Sequence, residues 1–284
     1  IKSFDQAIAG SPDFLDAFYN KGMAQLAAGN SKEAISSFDK VIDLDATYSK
    51  AFLKKGEAYT ELKAYFNAIE SYTLAAKLDD KNEKIYYAIG DVYFLNKQYK
   101  EAIEQFTQAI TIKPDYAYAY NDRGSSYREL EQYSQAVADY EKAAQLAPKM
   151  AFIYNNIGTV KKKQNDFSGA ITAYQKAIAA DSKFYLAYNN MGSIYFEQGK
   201  YDDAVKNFLE AIKLNANYAP AHNNIGSVKF KQEKYKEAEA EFSKAIKADG
   251  NYANAYVNRG IAREMLRDQS GACSDWKKAK ELSN

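Results

Sequence analysis

Little in this chain suits catalysis. It holds one histidine, His222, and one cysteine, Cys273, so neither a zinc site nor a Cys–His dyad can be assembled and no internal disulfide can form. No apolar run approaches the roughly 18 residues of a membrane-spanning helix, and no signal peptide or lipid anchor is visible. Charge of one sign is lacking too: 38 Lys and Arg face 37 Asp and Glu, a net +1, so no bulk field steers the protein to nucleic acid or anionic lipid. Prolines number four, and no linker or low-complexity stretch interrupts the chain. No catalytic residue, metal or cofactor is expected.

Glycine is scarce as well, at 14 residues, yet eight of them keep one register: Gly22, Gly56, Gly90, Gly124, Gly158, Gly192, Gly226 and Gly260. A period of this size, 34 residues, signals a stacked repeat array and favours recognition over chemistry. Other slots repeat with it. Twelve residues after each glycine stands an alanine (Ala34, Ala68 and onward to Ala272), four further an aromatic (Phe38, Tyr72, onward to Trp276), three further a small apolar residue. A ring precedes each glycine by four residues, with His222 taking that slot once. Intervals of three, four and seven are helical.

Each unit therefore reads as two helices, about 15–28 and 31–44 in the first. A glycine inside a helix costs about 0.5–1 kcal/mol relative to alanine, so its recurrence needs a packing reason. The expected reason is that glycine on the first helix faces alanine on the second, with the large rings filling the wedge on either side.

The pattern resembles the tetratricopeptide repeat, whose 34-residue unit carries aromatic, Gly, aromatic, Ala, aromatic, Ala and Pro in this order. The resemblance covers eight units starting at Leu15, Ser49, Glu83, Ala117, Ala151, Tyr185, Ala219 and Ala253; the closing proline survives only at Pro12, Pro114 and Pro148. It implies an all-α, right-handed superhelical solenoid of antiparallel helix pairs spanning 15–284, first helices on the concave side and second helices on the convex side. Residues 1–14 read as the second helix of a truncated repeat, expected to belong to a longer protein. The last helix, where Cys273 and Lys280 replace apolar residues, reads as a true terminus. The closing Gly-Ala-Cys-Ser-Asp-Trp stretch is similar to endings of many bacterial family members, suggesting a soluble protein of bacterial cytoplasm or periplasm.

On the first helices, the slots three before and one after the glycine become uniform from the fourth unit: Asn121/Ser125, Asn155/Thr159, Asn189/Ser193 and Asn223/Ser227. The next slot holds Asn156, Asn190, Asn224 and Asn258, with Asp122 in the fourth unit. Asparagine is a poor helix former, so doubling it in mid-helix calls for an explanation. One reading is a peptide-binding ladder, since each amide offers the donor and acceptor that a peptide unit presents. Tetratricopeptide superhelices that read extended peptides carry such asparagines along the groove, and Phe152, Leu186, Phe196 and Phe230 would flank it. The other reading has the amides bonding a neighbouring helix or water. A second set, Asn20, Lys50 and Lys54, resembles part of the carboxylate clamp with which family members grip the C-terminus of chaperone tails, with Lys54 where that motif has Arg.

Four functional classes follow. The first is a non-catalytic scaffold for a protein or peptide partner. The second is the substrate-recognition arm of a larger enzyme whose catalytic domain lies outside these residues. RNA reading, as in 35-residue helical arrays, is opposed by the period and the balanced charge. Self-association through the end helices, at Trp276 or the N-terminal half-unit, is the fourth.

Overall fold

The computed structural model describes every residue except Pro12 and Asn284, so the expectation placed on Pro12 lies outside the described residues. It is all-α. Seventeen helices follow one another among the described residues: α1 Lys2–Gly10, then eight pairs. The pairs are α2 Leu15–Ala27 with α3 Ser31–Leu44, α4 Ser49–Glu61 with α5 Tyr65–Leu78, α6 Glu83–Leu95 with α7 Tyr99–Ile112, and α8 Ala117–Glu129 with α9 Tyr133–Leu146. They continue as α10 Ala151–Lys163 with α11 Phe167–Ala180, α12 Tyr185–Glu197 with α13 Tyr201–Leu214, α14 Ala219–Lys231 with α15 Tyr235–Ala248, and α16 Ala253–Met265 with α17 Gln269–Leu282. The helices fall into two compact units, residues 1–146 and 147–284.

A recurrent turn makes each hairpin. The first helix ends, and seven residues after the glycine one residue enters the left-handed region: Gly29 and Gly199, but also Lys63, Lys97, Glu131, Asn165, Glu233 and Arg267. The following amide then reaches back five residues, as in Ala64 N–H to Tyr59 O and Lys200 N–H to Tyr195 O, both 2.9 Å. This closes the orphan carbonyls of the first helix and reverses the chain at once.

The packing of each pair corrects one expectation. A Cβ added at Gly22 would meet Cε1 of Phe38 at 2.6 Å, and one at Gly158 or Gly226 would meet the ring of Tyr174 or Phe242 at 2.5 Å. Glycine faces the ring sixteen residues on, not the alanine. The ring fills the space a side chain would occupy, and alanine enters only through a backbone oxygen, 3.2 Å from a Cβ added at Gly124 for Ala136 and 3.1 Å from one added at Gly192 for Ala204. Those rings are the heart of the core: Phe38, Phe106, Tyr140, Tyr174, Phe208 and Phe242 are almost wholly buried.

Within each unit the first helices also touch one another, α2 with α4, α4 with α6 and α6 with α8 in unit 1, and α10 with α12, α12 with α14 and α14 with α16 in unit 2. Among the described residues of a unit, no two second helices do so. Contact on one side and separation on the other puts the first helices on the inner radius of each unit. At the chain ends, α1 has no buried residue, and Trp276 packs on Gly260 with about a third of its surface exposed.

Candidate functional site

In unit 2 the asparagines of the first helices form two rows. The inner row, Asn155, Asn189 and Asn223, points between helices, and Asn189 and Asn223 are buried. The outer row, Asn190, Asn224 and Asn258, is partly exposed. Each outer residue donates an amide hydrogen to the inner residue one repeat upstream: Asn190 Nδ2 to Asn155 Oδ1 and Asn224 Nδ2 to Asn189 Oδ1 at 2.9 Å, Asn258 Nδ2 to Asn223 Oδ1 at 2.8 Å. Asn156 is partly buried on α10 in the outer slot. The doubled asparagine therefore joins neighbouring repeats, and this alone accounts for a poor helix former in mid-helix.

The hydroxyls of the pattern are turned inward. Thr159 Oγ1 donates to Asn155 O at 2.9 Å, Ser193 Oγ to Asn189 O at 3.1 Å and Ser227 Oγ to Asn223 O at 3.0 Å. Such bonds to the carbonyl four residues back hold the hydroxyl against its own helix. Unit 1 carries the same slots once, on α8. Asn121 and Ser125 are buried there; Ser125 Oγ bonds Asn121 O and lies 3.1 Å from Tyr140 Oη, while Asn121 Nδ2 donates to Asp122 Oδ1 at 2.8 Å.

The outer row leaves chemistry unused. Among the described residues no donor reaches Oδ1 of Asn190, Asn224 or Asn258, and no buried side-chain N or O atom lacks a partner, so these oxygens meet solvent. Beside the row lies a cavity of about 230 Å³ lined by Phe196, Phe230, Phe242, Ile261, Ser227 and Asn258. A line of acceptors next to an aromatic notch suits an extended polypeptide, with main-chain N–H groups on the oxygens and a side chain in the notch.

The second set sits in unit 1. Asn20 and Lys50 are exposed; Lys50 and Lys54 line a groove of about 680 Å³ on the first helices. Lys54 is committed: its ammonium lies 2.8 Å from both carboxylate oxygens of Glu57, a pair at (i, i+3) visible in the sequence.

Sequence reasoning overlooked three features. Asp91 and Asp122, on the groove face of α6 and α8, have carboxyls raised above the ordinary range, first by burial; Asp91 also feels the charge of Asp122. Burial, then Glu83 and Asp122, push the Tyr116 hydroxyl up to about 12. Arg123 grips Asp139 through two bonds of 2.8 Å, and Arg259 grips Asp275 at 2.8 and 2.6 Å, each at a spacing of 16 residues that was there to be read. His222 keeps its ring slot, partly buried, with Nδ1 3.2 Å from Glu241 Oε2. Cys273 is exposed. Among the described residues no group of three or more His, Cys, Asp or Glu side chains is placed to hold a metal ion, and no helix is long and apolar enough to cross a membrane.

Known families fit this architecture. Models described as tetratricopeptide repeat match residues 1–49, 49–82, 117–150 and 219–252, and one described as TPR repeat matches 90–130, 160–199 and 192–232. The chain belongs to the tetratricopeptide repeat family. As such it is a protein-interaction scaffold. No curated protein matches it. A crystal structure of MamA is 26% identical, covering 57% of this chain and 95% of that one with a TM-score of 0.54. Another of MamA protein is 25% identical, covering 60% and 92% with a TM-score of 0.55. The crystal structure of the APC/C hetero-tetramer Cut9-Hcn1 shares the fold, with a TM-score of 0.64 at 17% identity; it aligns with 99% of this chain, which spans 56% of that one.

Proposed function

We propose that the protein is a non-catalytic scaffold that holds an extended segment of a partner polypeptide on the inner face of unit 2. Asn156, Asn190, Asn224 and Asn258 contact the partner's main chain, while Asn155, Asn189 and Asn223 fix the amides of Asn190, Asn224 and Asn258 by taking one hydrogen from each. Thr159, Ser193 and Ser227 brace the helix turns behind them, and Asn121 with Ser125 takes the same slots and the same hydroxyl bond on α8. One observation carries this reading: the interlocked pairs leave a row of acceptor oxygens on the inner face, held before any ligand arrives. Fixing side chains beforehand removes entropy that binding would otherwise have to overcome.

The test uses peptides selected on the wild-type chain from a random library. Replacing Asn190 and Asn224 together by Ala should weaken the best peptide about tenfold or more, as expected for two lost hydrogen bonds. Methylating the peptide's alternate amide nitrogens should weaken it similarly. Unchanged affinity in both experiments, with helicity intact by circular dichroism, removes the ladder from the binding site.

A further inference from the structure

The inner face of unit 1 carries different chemistry in the same slots. Where unit 2 has Asn155/Thr159, Asn189/Ser193 and Asn223/Ser227, unit 1 has Tyr19/Met23, Leu53/Glu57 and Tyr87/Asp91. Tyr19, Leu53, Tyr87 and Tyr116 form much of the wall of the 680 Å³ groove, with Tyr87 and Tyr116 packed ring to ring at 5.1 Å.

Most charges in that groove are matched. Glu57 holds Lys54, Glu61 accepts the Ser31 hydroxyl at 2.5 Å, and Asp122, next to the groove, accepts from Tyr87 Oη at 2.5 Å and from Asn121. Asp91 is the exception among the carboxylates that line it. It lines the groove, is partly buried, and among the described residues receives neither a hydrogen bond nor an ion pair. Lys50 and Lys84 stand exposed along the same groove, and neither comes within ion-pair distance of it. A carboxylate that has given up water without gaining a partner is unfavourable, more so with the Asp122 charge beside it.

What relieves it is a cation on a long apolar stem. The stem packs along tyrosine and leucine surface while the charged head meets the carboxylate. An anion placed beside Asp91 would meet its charge, with Lys54 already engaged by Glu57.

We propose that this groove receives a lysine or arginine side chain of the partner polypeptide, with Asp91 as its counter-ion and Tyr19, Leu53 and Tyr87 as the walls for its stem. The proposal names partner chemistry for unit 1, and it rests on the reading that a polypeptide binds the inner face.

Three fluorescent Gly-Ser peptides, acetylated and amidated, test it: one neutral, one with a central Arg-Lys pair, one with a central Glu-Glu pair. Anisotropy is measured on the whole chain, on Asp91→Asn and on the Asn190→Ala/Asn224→Ala variant. The basic peptide should bind about tenfold tighter than the other two, weaken with salt, and lose its advantage in Asp91→Asn but not in the asparagine variant. Equal binding of basic and neutral peptides, no binding of the basic one, tighter binding of the acidic one, or a preference untouched by Asp91→Asn each overturns the proposal. A neutral peptide that binds wild type and is lost in the asparagine variant sustains the unit 2 ladder whatever Asp91 does, so the two readings fail separately. Asp91→Asn removes no bond, and a helical spectrum like wild type checks that it folds.

Discussion

Asn224 donates an amide hydrogen to Asn189 across 2.9 Å, one residue longer in sequence than the repeat itself. That offset of 35 residues lets the outer slot of one repeat reach the inner slot of the previous one, and it recurs from Asn190 to Asn155 and from Asn258 to Asn223. Replacing Asn224 by Ala leaves the buried Asn189 oxygen without its donor, a loss of about 1–2 kcal/mol. In a double-mutant cycle with Asn189→Ala, urea melts should return a coupling of about 0.5–1.5 kcal/mol. Strict additivity would mean the pair does not bind the repeats together.

Gly158 and Tyr174 define the hairpin contact. A methyl at 158 would lie 2.5 Å from the buried ring, so Gly158→Ala trades about 0.5–1 kcal/mol of helix propensity for about 1–3 kcal/mol of overpacking. The variant should be less stable than wild type. Gly250→Ala, where nothing lies within 4 Å, should change stability by less than about 0.5 kcal/mol. Thermal melts of the two, run side by side, separate close packing from a general intolerance of alanine.

Arg123 and Asp139 are both largely shielded from solvent, and Arg123 also donates to Thr107 Oγ1 at 3.0 Å. Arg123→Ala should destabilise unit 1 by about 2–4 kcal/mol, because it strands a buried carboxylate; the remaining solvent contact of Arg123 keeps the loss below the fully buried limit. One repeat on, the same two slots hold Ile157 and Ala173. The double change Arg123→Ile with Asp139→Ala should therefore recover most of the loss, measured by the same denaturant curves. No recovery would show that the pair fixes the local structure by more than mutual neutralisation.

Burial raises the Asp91 carboxyl above the ordinary value of 3.8, with the charge of Asp122 adding to it. Its folded form thus holds a proton more tightly than the unfolded chain does. Ionisation opposes folding: the penalty is fully present above the raised value, fades as pH falls through it, and is gone below the unfolded value. Asp91→Asn should be more stable than wild type at pH 7, and the difference should shrink as the pH approaches 4. Urea midpoints at several pH values check this, and a difference that stays constant with pH refutes it.

Several of these contacts were within reach of the sequence. The eight glycines mark helical hairpins because a ring must lie where a side chain would be, and only one residue type leaves that room in every repeat. The (i, i+3) pair of Lys54 with Glu57 and the 16-residue spacing of Arg123 with Asp139 are likewise local or periodic signals. Periodicity along one helix, however, says nothing about the register between two. For that reason alanine was expected opposite glycine, and the ring is found there.

The sequence by itself determined the helices and their pairing, since both follow from spacing along the chain, while the inner side of the first helices was implied there only by the family resemblance. Only the tertiary structure decided which amide hydrogen meets which oxygen, and that Asp91 alone among the carboxylates lining its groove is left unbonded. Partnership between neighbouring repeats depends on distances of a few ångströms across separate helices. A shift of one helical position, invisible in composition and period, would exchange every one of those partners.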